Sequence, residues 1–299
     1  MAAGAAATAC VILSSACQGA PTVPPTPPAA CPDFTSPGAA TAMVGQLVAA
    51  AKSSDVVMVE VRPREVDVSV LVDQKPVTWA CRAGVIAQVA SDIAYVDQAS
   101  FDPASFDFGD VGALLRAAAA WSGSSSSQRL QIVEYSGGRV MMSVATDPES
   151  RTVFFNPDGS LLEDLDFATR GGITRGLREV VGQLPAVTQV SITSNRSVWA
   201  DHPGSDPGTV TRRMRTATVP VTTITRQSSG VLATFPPSLV RPEVVWSVVQ
   251  DQVGSTPSAG TSWSVVIEDR DSRGVPRMHF SFPSGQVVTD LAGRTVGSS

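Results

Sequence analysis

Histidine is almost missing from this 299-residue chain, which has only His202 and His279. Imidazole is the commonest general base and metal ligand, so its scarcity leaves little material for acid–base or zinc chemistry. Lysine is equally rare, with Lys52 and Lys75 alone. No basic run is long enough to follow a phosphate backbone, and the formal net charge is −5, so nucleic acid is not an expected partner. No 18 consecutive residues are apolar, which excludes a membrane-spanning helix from the expected architecture. The four cysteines, Cys10, Cys17, Cys31 and Cys81, show no Cys-x-x-Cys spacing. Neither a His-Glu-x-x-His pair nor a Gly-x-Ser-x-Gly nucleophile turn occurs. We therefore expect no cofactor, no metal site and no catalytic residues.

Apolar residues are plentiful. At 43% hydrophobic and 16% charged, the chain has material for roughly two domains. Residues 1–40 stand apart from the rest, with one charged residue, Asp33, and no helical or strand periodicity. An apolar run from Ala5 leads into Leu13-Ser14-Ser15-Ala16-Cys17, and the stretch Gln18 to Pro32 then holds six prolines. Such a stretch favours an extended, polyproline-like tether.

The end of the apolar run resembles the signal peptide of a bacterial lipoprotein, in which a small residue precedes the lipid-bearing cysteine. The resemblance implies lipidation at Cys17, with palmitate among the acyl chains, and an extracytoplasmic protein held to the membrane by lipid alone. If that site is not used, the product is secreted. The preference for Arg over Lys, with abundant Ala and Val, points to a high-GC, actinobacterial-type genome. With Cys10 in the leader and Cys17 lipidated, Cys31 and Cys81 remain as a candidate disulfide, which an oxidising compartment permits. Two unpaired thiols are the alternative.

Val44, Leu47, Val48 and Ala51 stand at i, i+3, i+4 and i+7, one face of a helix. The template returns at Val111, Leu114, Leu115 and Ala118, at Leu177, Val180, Val181 and Leu184, and at Val245, Val248, Val249 and Gln252. The anchors 44, 111, 177 and 245 are 67, 66 and 68 residues apart, a period of about 67. β-like segments follow each helix, for example Val56 to Val61, Leu130 to Tyr135, Val187 to Thr193 and Ser262 to Asp269.

Further markers pair the units alternately. Ala99-Ser100-Phe101-Asp102-Pro103 precedes the second helix, and Ala233-Thr234-Phe235-Pro236-Pro237 precedes the fourth. The expected fold is α+β: four repeats of a helix plus antiparallel strands, arranged as two similar halves. Its expected boundaries are a leader at 1–17, a tether at 18–40, and halves at 41–170 and 171–299, with Arg170-Gly171-Gly172 at the joint. The order of helix then strands, with the Asp158-Gly159 turn near the end of a unit, resembles secreted PepSY and β-lactamase-inhibitor-protein repeats. That resemblance implies extracytoplasmic binding or inhibition.

Single residues offer few chemical candidates. Arg212, Arg213 and Arg215 form the only dense basic patch, in what reads as an irregular insertion with Trp199 and His202 beside it. An aromatic anchor beside arginines is the composition of an interface, so this segment is the candidate partner-binding loop. His279 reads as structural, and Asp107 or Asp110 as a helix cap. The leading expectation is a cell-envelope lipoprotein that binds a partner without transforming it. The alternatives are an extracytoplasmic hydrolase using paired carboxylates and a carrier of an apolar ligand between sheet and helices.

Overall fold

A computed structural model describes residues 31–91, 93, 97–147, 151–228, 230, 233–254, 262–270 and 272–296. Cys10, Cys17 and the tether up to residue 30 lie outside the described residues, and the expected tether end at residue 40 needs correction, because Cys31, Phe34 and Ala40 are buried in the first core and the first helix begins at Ala39. Four helices appear where the apolar spacing requires them: α1 (Ala39–Ala51), α2 (Val111–Ser122), α3 (Arg170–Val181) and α4 (Pro242–Val253). All four template residues of α2 are buried, as are Val44 and Leu47 of α1 and Leu177 and Val180 of α3. In α4, Val245, Val248 and Val249 are buried while Gln252 is exposed. The starts are set by caps. The Asp110 carboxylate accepts the Ala113 N–H at 2.8 Å, the Thr169 hydroxyl accepts that of Gly172 at 3.1 Å, and Pro242 opens α4.

The expected joint at Arg170-Gly171-Gly172 needs correction, because these residues form the first turn of α3. The Thr169 cap extends the helix over two glycines that read as a break. Gly172 is required by packing: a Cβ there would lie 1.9 Å from the Asp166 carbonyl oxygen. The segment that connects the halves is residues 156–169.

Seven strands follow in the first half: β1 (Val56–Arg62), β2 (Glu65–Val72), β3 (Lys75–Arg82), β4 (Val85–Val89), β5 (Arg129–Ser136), β6 (Arg139–Ala145) and β7 (Val153–Phe155). They form one antiparallel sheet in the order β4-β3-β2-β1-β5-β6-β7. The second half repeats this with β8 (Gln189–Thr193), β9 (Ser197–Pro203), β10 (Thr209–Thr216), β11 (Thr222–Gln227), β12 (Ser264–Glu268), β13 (Arg277–Phe282) and β14 (Gly285–Thr289). The order is β11-β10-β9-β8-β12-β13-β14. The protein is thus α+β, with two similar halves that each run helix, four strands, helix, three strands. Tight turns set the strand spacing. Asp73 and Gln74 between β2 and β3, and Gly137 and Gly138 between β5 and β6, all have positive φ, as the turn that matches strand twist demands.

In each half both helices cover one face of the sheet. Val59, Val61, Val66, Val68, Leu130, Ile132 and Met142 pack there against α1 and α2, and Val190, Ile192, Val198, Val265, Ile267 and Phe280 against α3 and α4. The opposite faces carry polar pairs, Glu60 accepting from Gln131 at 2.7 Å across β1 and β5 and Glu268 from Gln189 at 2.7 Å across β12 and β8, with an apolar patch at Met141 and Phe154 in the first half. The halves meet where Met141, Phe154 and Leu162 bury Val219, and where the Thr223 N–H donates to the Ser136 hydroxyl at 2.8 Å.

Candidate functional site

The segment from Trp199 to Arg215 is a β-hairpin, not an irregular insertion, since it forms β9 and β10 in continuous register. Successive side chains therefore alternate between faces, and the three arginines do not make one patch. Arg212 lies on the outer face. It stacks on Trp199, 3.5 Å from the ring centroid, and donates Nε and Nη2 to the two Asp201 oxygens at 2.7 and 2.9 Å. Arg226 of β11 adds a third bond to Asp201 at 2.8 Å, and the Asp201 residue is wholly buried.

Arg213 and Arg215 point the other way, towards α3. Arg215 is 0% exposed. Its guanidinium pairs with Glu179 at 2.9 Å and donates to the carbonyls of Glu163 at 2.7 Å, Val219 at 2.6 Å, Ala217 at 3.2 Å, and Thr216. Burial pulls its pKa below the ordinary arginine value, with Glu179 opposing. Arg213 donates to the Glu179 carbonyl at 3.0 Å, and its pKa is lowered by burial and by the nearby Arg139. The alternation was hidden in the sequence because arginine holds two inward positions where a strand signature requires apolar residues.

His202 is half-buried on β9, with Nδ1 2.8 Å from the Pro203 carbonyl oxygen. It neighbours Asp201 in a strand, so the two side chains leave opposite faces and form no acid–base dyad. His279 lies on β13 opposite Val266 of β12 and Val288 of β14. Cys31 and Cys81 are joined by a disulfide with a Cα–Cα distance of 6.5 Å, which fastens the start of the described chain to β3. Among the described residues, no group of three or more His, Cys, Asp or Glu side chains is placed to hold a metal ion. No helix among them is long and apolar enough to cross a membrane.

Two clefts occupy matching places in the halves. In the first, Phe101 pairs with Val56, its N–H donating to the Val56 carbonyl at 2.8 Å, and a 3₁₀ turn at Pro103–Ser105 follows. In the second, Phe235 pairs with Val187 through two bonds of 2.8 and 2.9 Å before a 3₁₀ turn at Pro237–Leu239. Between each turn and the first helix of its half lies a cleft. The first has about 470 Å³ and is lined by Val44, Gly45, Val48, Pro103, Ala104, Phe106 and Phe108, among others. The second has about 430 Å³, with Leu177, Val181, Leu184, Pro237, Val240 and Pro242 among its lining residues.

The charges at the two clefts differ. Asp102 and Asp107 border the first and Arg178 the second. Both carboxylates are engaged by local turns: Asp102 accepts the Ala104 N–H at 2.9 Å, and Asp107 that of Gly109 at 3.3 Å. Single-residue reasoning missed these clefts. Their signal was the matched Phe101 and Phe235 segments ahead of the second and fourth helices.

No family model matches the chain, and no curated protein matches it. Among solved structures, 31 chains match. They include the β clamp of Helicobacter pylori in complex with 5-chloroisatin, 8% identical, covering 86% of this chain and 61% of that one at a TM-score of 0.15. The DNA polymerase III β subunit of Thermotoga maritima is 10% identical, with 87% and 64% covered and a TM-score of 0.18. A DNA polymerase III β subunit of Eubacterium rectale is 9% identical, with 87% and 64% covered and a TM-score of 0.16. The chain thus spans about 61 to 64% of the length of these structures, and at such TM-scores the likeness carries no functional argument.

Proposed function

We propose that the chain is a cell-envelope lipoprotein, anchored through Cys17, that acts as a non-catalytic binding module built from four units of about 67 residues. The observation that carries the binding reading is the pair of matched clefts, the first mainly apolar with its bordering carboxylates Asp102 and Asp107 already serving turns, the second mixing apolar residues with Thr174, Arg178, Gln183 and Ser238. Apolar lining with few polar groups is the character of a recognition site. The occupant proposed is a pair of apolar side-chain clusters on one protein partner, because two similar clefts on one chain raise avidity only when both are engaged together. The half-buried Trp199, stacked with Arg212 on the outer face of β9, forms a second contact surface in this reading, and His202, on the opposite face, is not part of it. The Cys31–Cys81 disulfide supports an oxidising, extracytoplasmic setting.

The test fills the clefts without disturbing the core. Gly45 has no atom within 4 Å of a built Cβ, and Thr174 at the second cleft is exposed. Gly45→Trp combined with Thr174→Trp is expected to abolish capture of the partner that the wild type retains from envelope extract. Equal capture by both removes the clefts from the reading. Turnover of an envelope substrate, lost on a single carboxylate change, overturns it altogether. Mass spectrometry of membrane-extracted protein is expected to show an acylated Cys17 at the mature amino terminus, and a soluble product that begins elsewhere rejects the anchor.

A further inference from the structure

The four sheet edges are treated unequally by the chain. Beside β7, Leu161 bridges Phe155 and the Leu162 N–H donates to the Phe154 carbonyl at 2.9 Å. Thr295 bridges Thr289 beside β14, where the Val296 N–H donates to the Val288 carbonyl at 2.9 Å. On β11, Ser136 of the other half takes the Thr223 N–H, and the strand carries Arg226. The β4 edge has no such cover among the described residues. It pairs with β3 alone, and Val85 and Ile86 are 51% and 37% exposed. From Ala83 to Ser91 there is no charged residue and no proline, the two devices by which exposed edges are commonly blunted.

We propose that β4 is the interface to a second copy of this chain, the two strands pairing antiparallel about a two-fold axis at Ala87. This inference is independent of the cleft reading. Such an axis sets Val85 opposite Val89 of the other copy and Ile86 opposite its Gln88. No charge is buried and no like charges face each other. The strand is therefore complementary to itself, as a two-fold interface requires, and the pairing satisfies the open backbone groups of both edges while covering Val85. β7 and β14 are flanked by added segments of the chain, and β11, exposed from Ile224 to Gln227, carries Arg226, whereas β4 offers an uncharged edge whose two-fold pairing closes on itself and gives a dimer instead of a filament.

The axis supplies the test, since the residue on it faces its own copy. Sedimentation of the unlipidated full chain (Cys17→Ser) up to about 0.5 mM, where weak pairing still registers, is expected to show a monomer–dimer equilibrium. Ala87→Lys and Ala87→Glu, at a half-buried position outside the apolar core clusters, are each expected to weaken it about tenfold by like-charge opposition. An equimolar mixture of the two variants is expected to restore it. Hydrogen exchange at the outward amides of Ile86 and Gln88, which do not bond to β3, is expected to slow as concentration rises. A monomer at every concentration, a dimer indifferent to both variants, a mixture that fails to recover, or β4 amides already protected in the monomer by residues 18–30 would each overturn the proposal.

Discussion

Arg215 of β10 and Glu179 of α3 form a 2.9 Å ion pair in which the guanidinium is shut off from solvent. The same group binds the Glu163 carbonyl in the segment that connects the halves and the Val219 carbonyl in the loop that packs on the first sheet. One buried side chain thus ties a helix, a strand, the connecting segment and the contact between halves. Removing it takes this donor from Glu179 Oε2, whose Oε1 keeps Arg175, and from four carbonyls, of which that of Ala217 keeps the Leu165 N–H, whereas a lysine supplies too few, differently directed donors. Arg215→Met is expected to destabilise the fold by about 3 to 5 kcal/mol, with Arg215→Lys recovering only part. Urea denaturation followed by circular dichroism measures both, and a loss near zero would show that the cluster is dispensable.

The disulfide closes a loop with a sequence separation of 50 between Cys31 and Cys81. Chain-entropy arguments put the stabilisation from a loop of that size at about 4 kcal/mol. Reduction with dithiothreitol is expected to lower the thermal midpoint, and Cys31→Ser is expected to lower it equally and to abolish the sensitivity to reductant.

Leu114 of α2 and Leu177 of α3 are 7% and 5% exposed, each on the core-facing side of its helix. Leu→Ala at either is expected to cost about 2 to 5 kcal/mol. Sites in separate cores are expected to be additive, so denaturation of the double variant shows whether the halves unfold as one unit.

Asp158 is held below its ordinary pKa of 3.8, chiefly by the Ser160 hydroxyl at 2.6 Å and then by the Ser160 N–H at 3.0 Å. A carboxylate with a lowered folded-state pKa contributes stability that is present above the unfolded value and lost as pH falls through the folded one. Ser160→Ala is expected to bring Asp158 back towards 3.8 while leaving Asp290, lowered by Arg294, in place. Carbon-detected NMR titration between about pH 2 and 6 resolves the two carboxyls.

The helices were legible because each buries a face at a spacing that only a helix satisfies. Asp110 was legible as the cap of α2 because a carboxylate ahead of an apolar face meets free amides, while Asp107, the other candidate, holds the turn at Gly109 instead. Two strands of the candidate site were not. β9 and β10 read as an insertion because Arg213 and Arg215 occupy inward positions, where the charge is tolerated only through a carboxylate and carbonyls brought from distant parts of the chain. β3 was missed because Lys75, Pro76 and Arg82 interrupt its apolar alternation, while its place between β2 and β4 makes it a strand.

Local patterning thus determined the helices, most strand segments and the two-half α+β organisation, since periodicity, capping and turn chemistry act over a few residues. Tertiary structure decided the rest. It set which strands neighbour one another, split the arginines between opposite faces of a sheet, placed the clefts beside the Phe101 and Phe235 bridges, and left β4 without a described cover. Those outcomes depend on contacts between residues far apart in the chain, such as Arg215 with Glu163, Phe101 with Val56 and Phe235 with Val187. Their free energy arises only when both partners are buried together, so no window of neighbouring residues contains them.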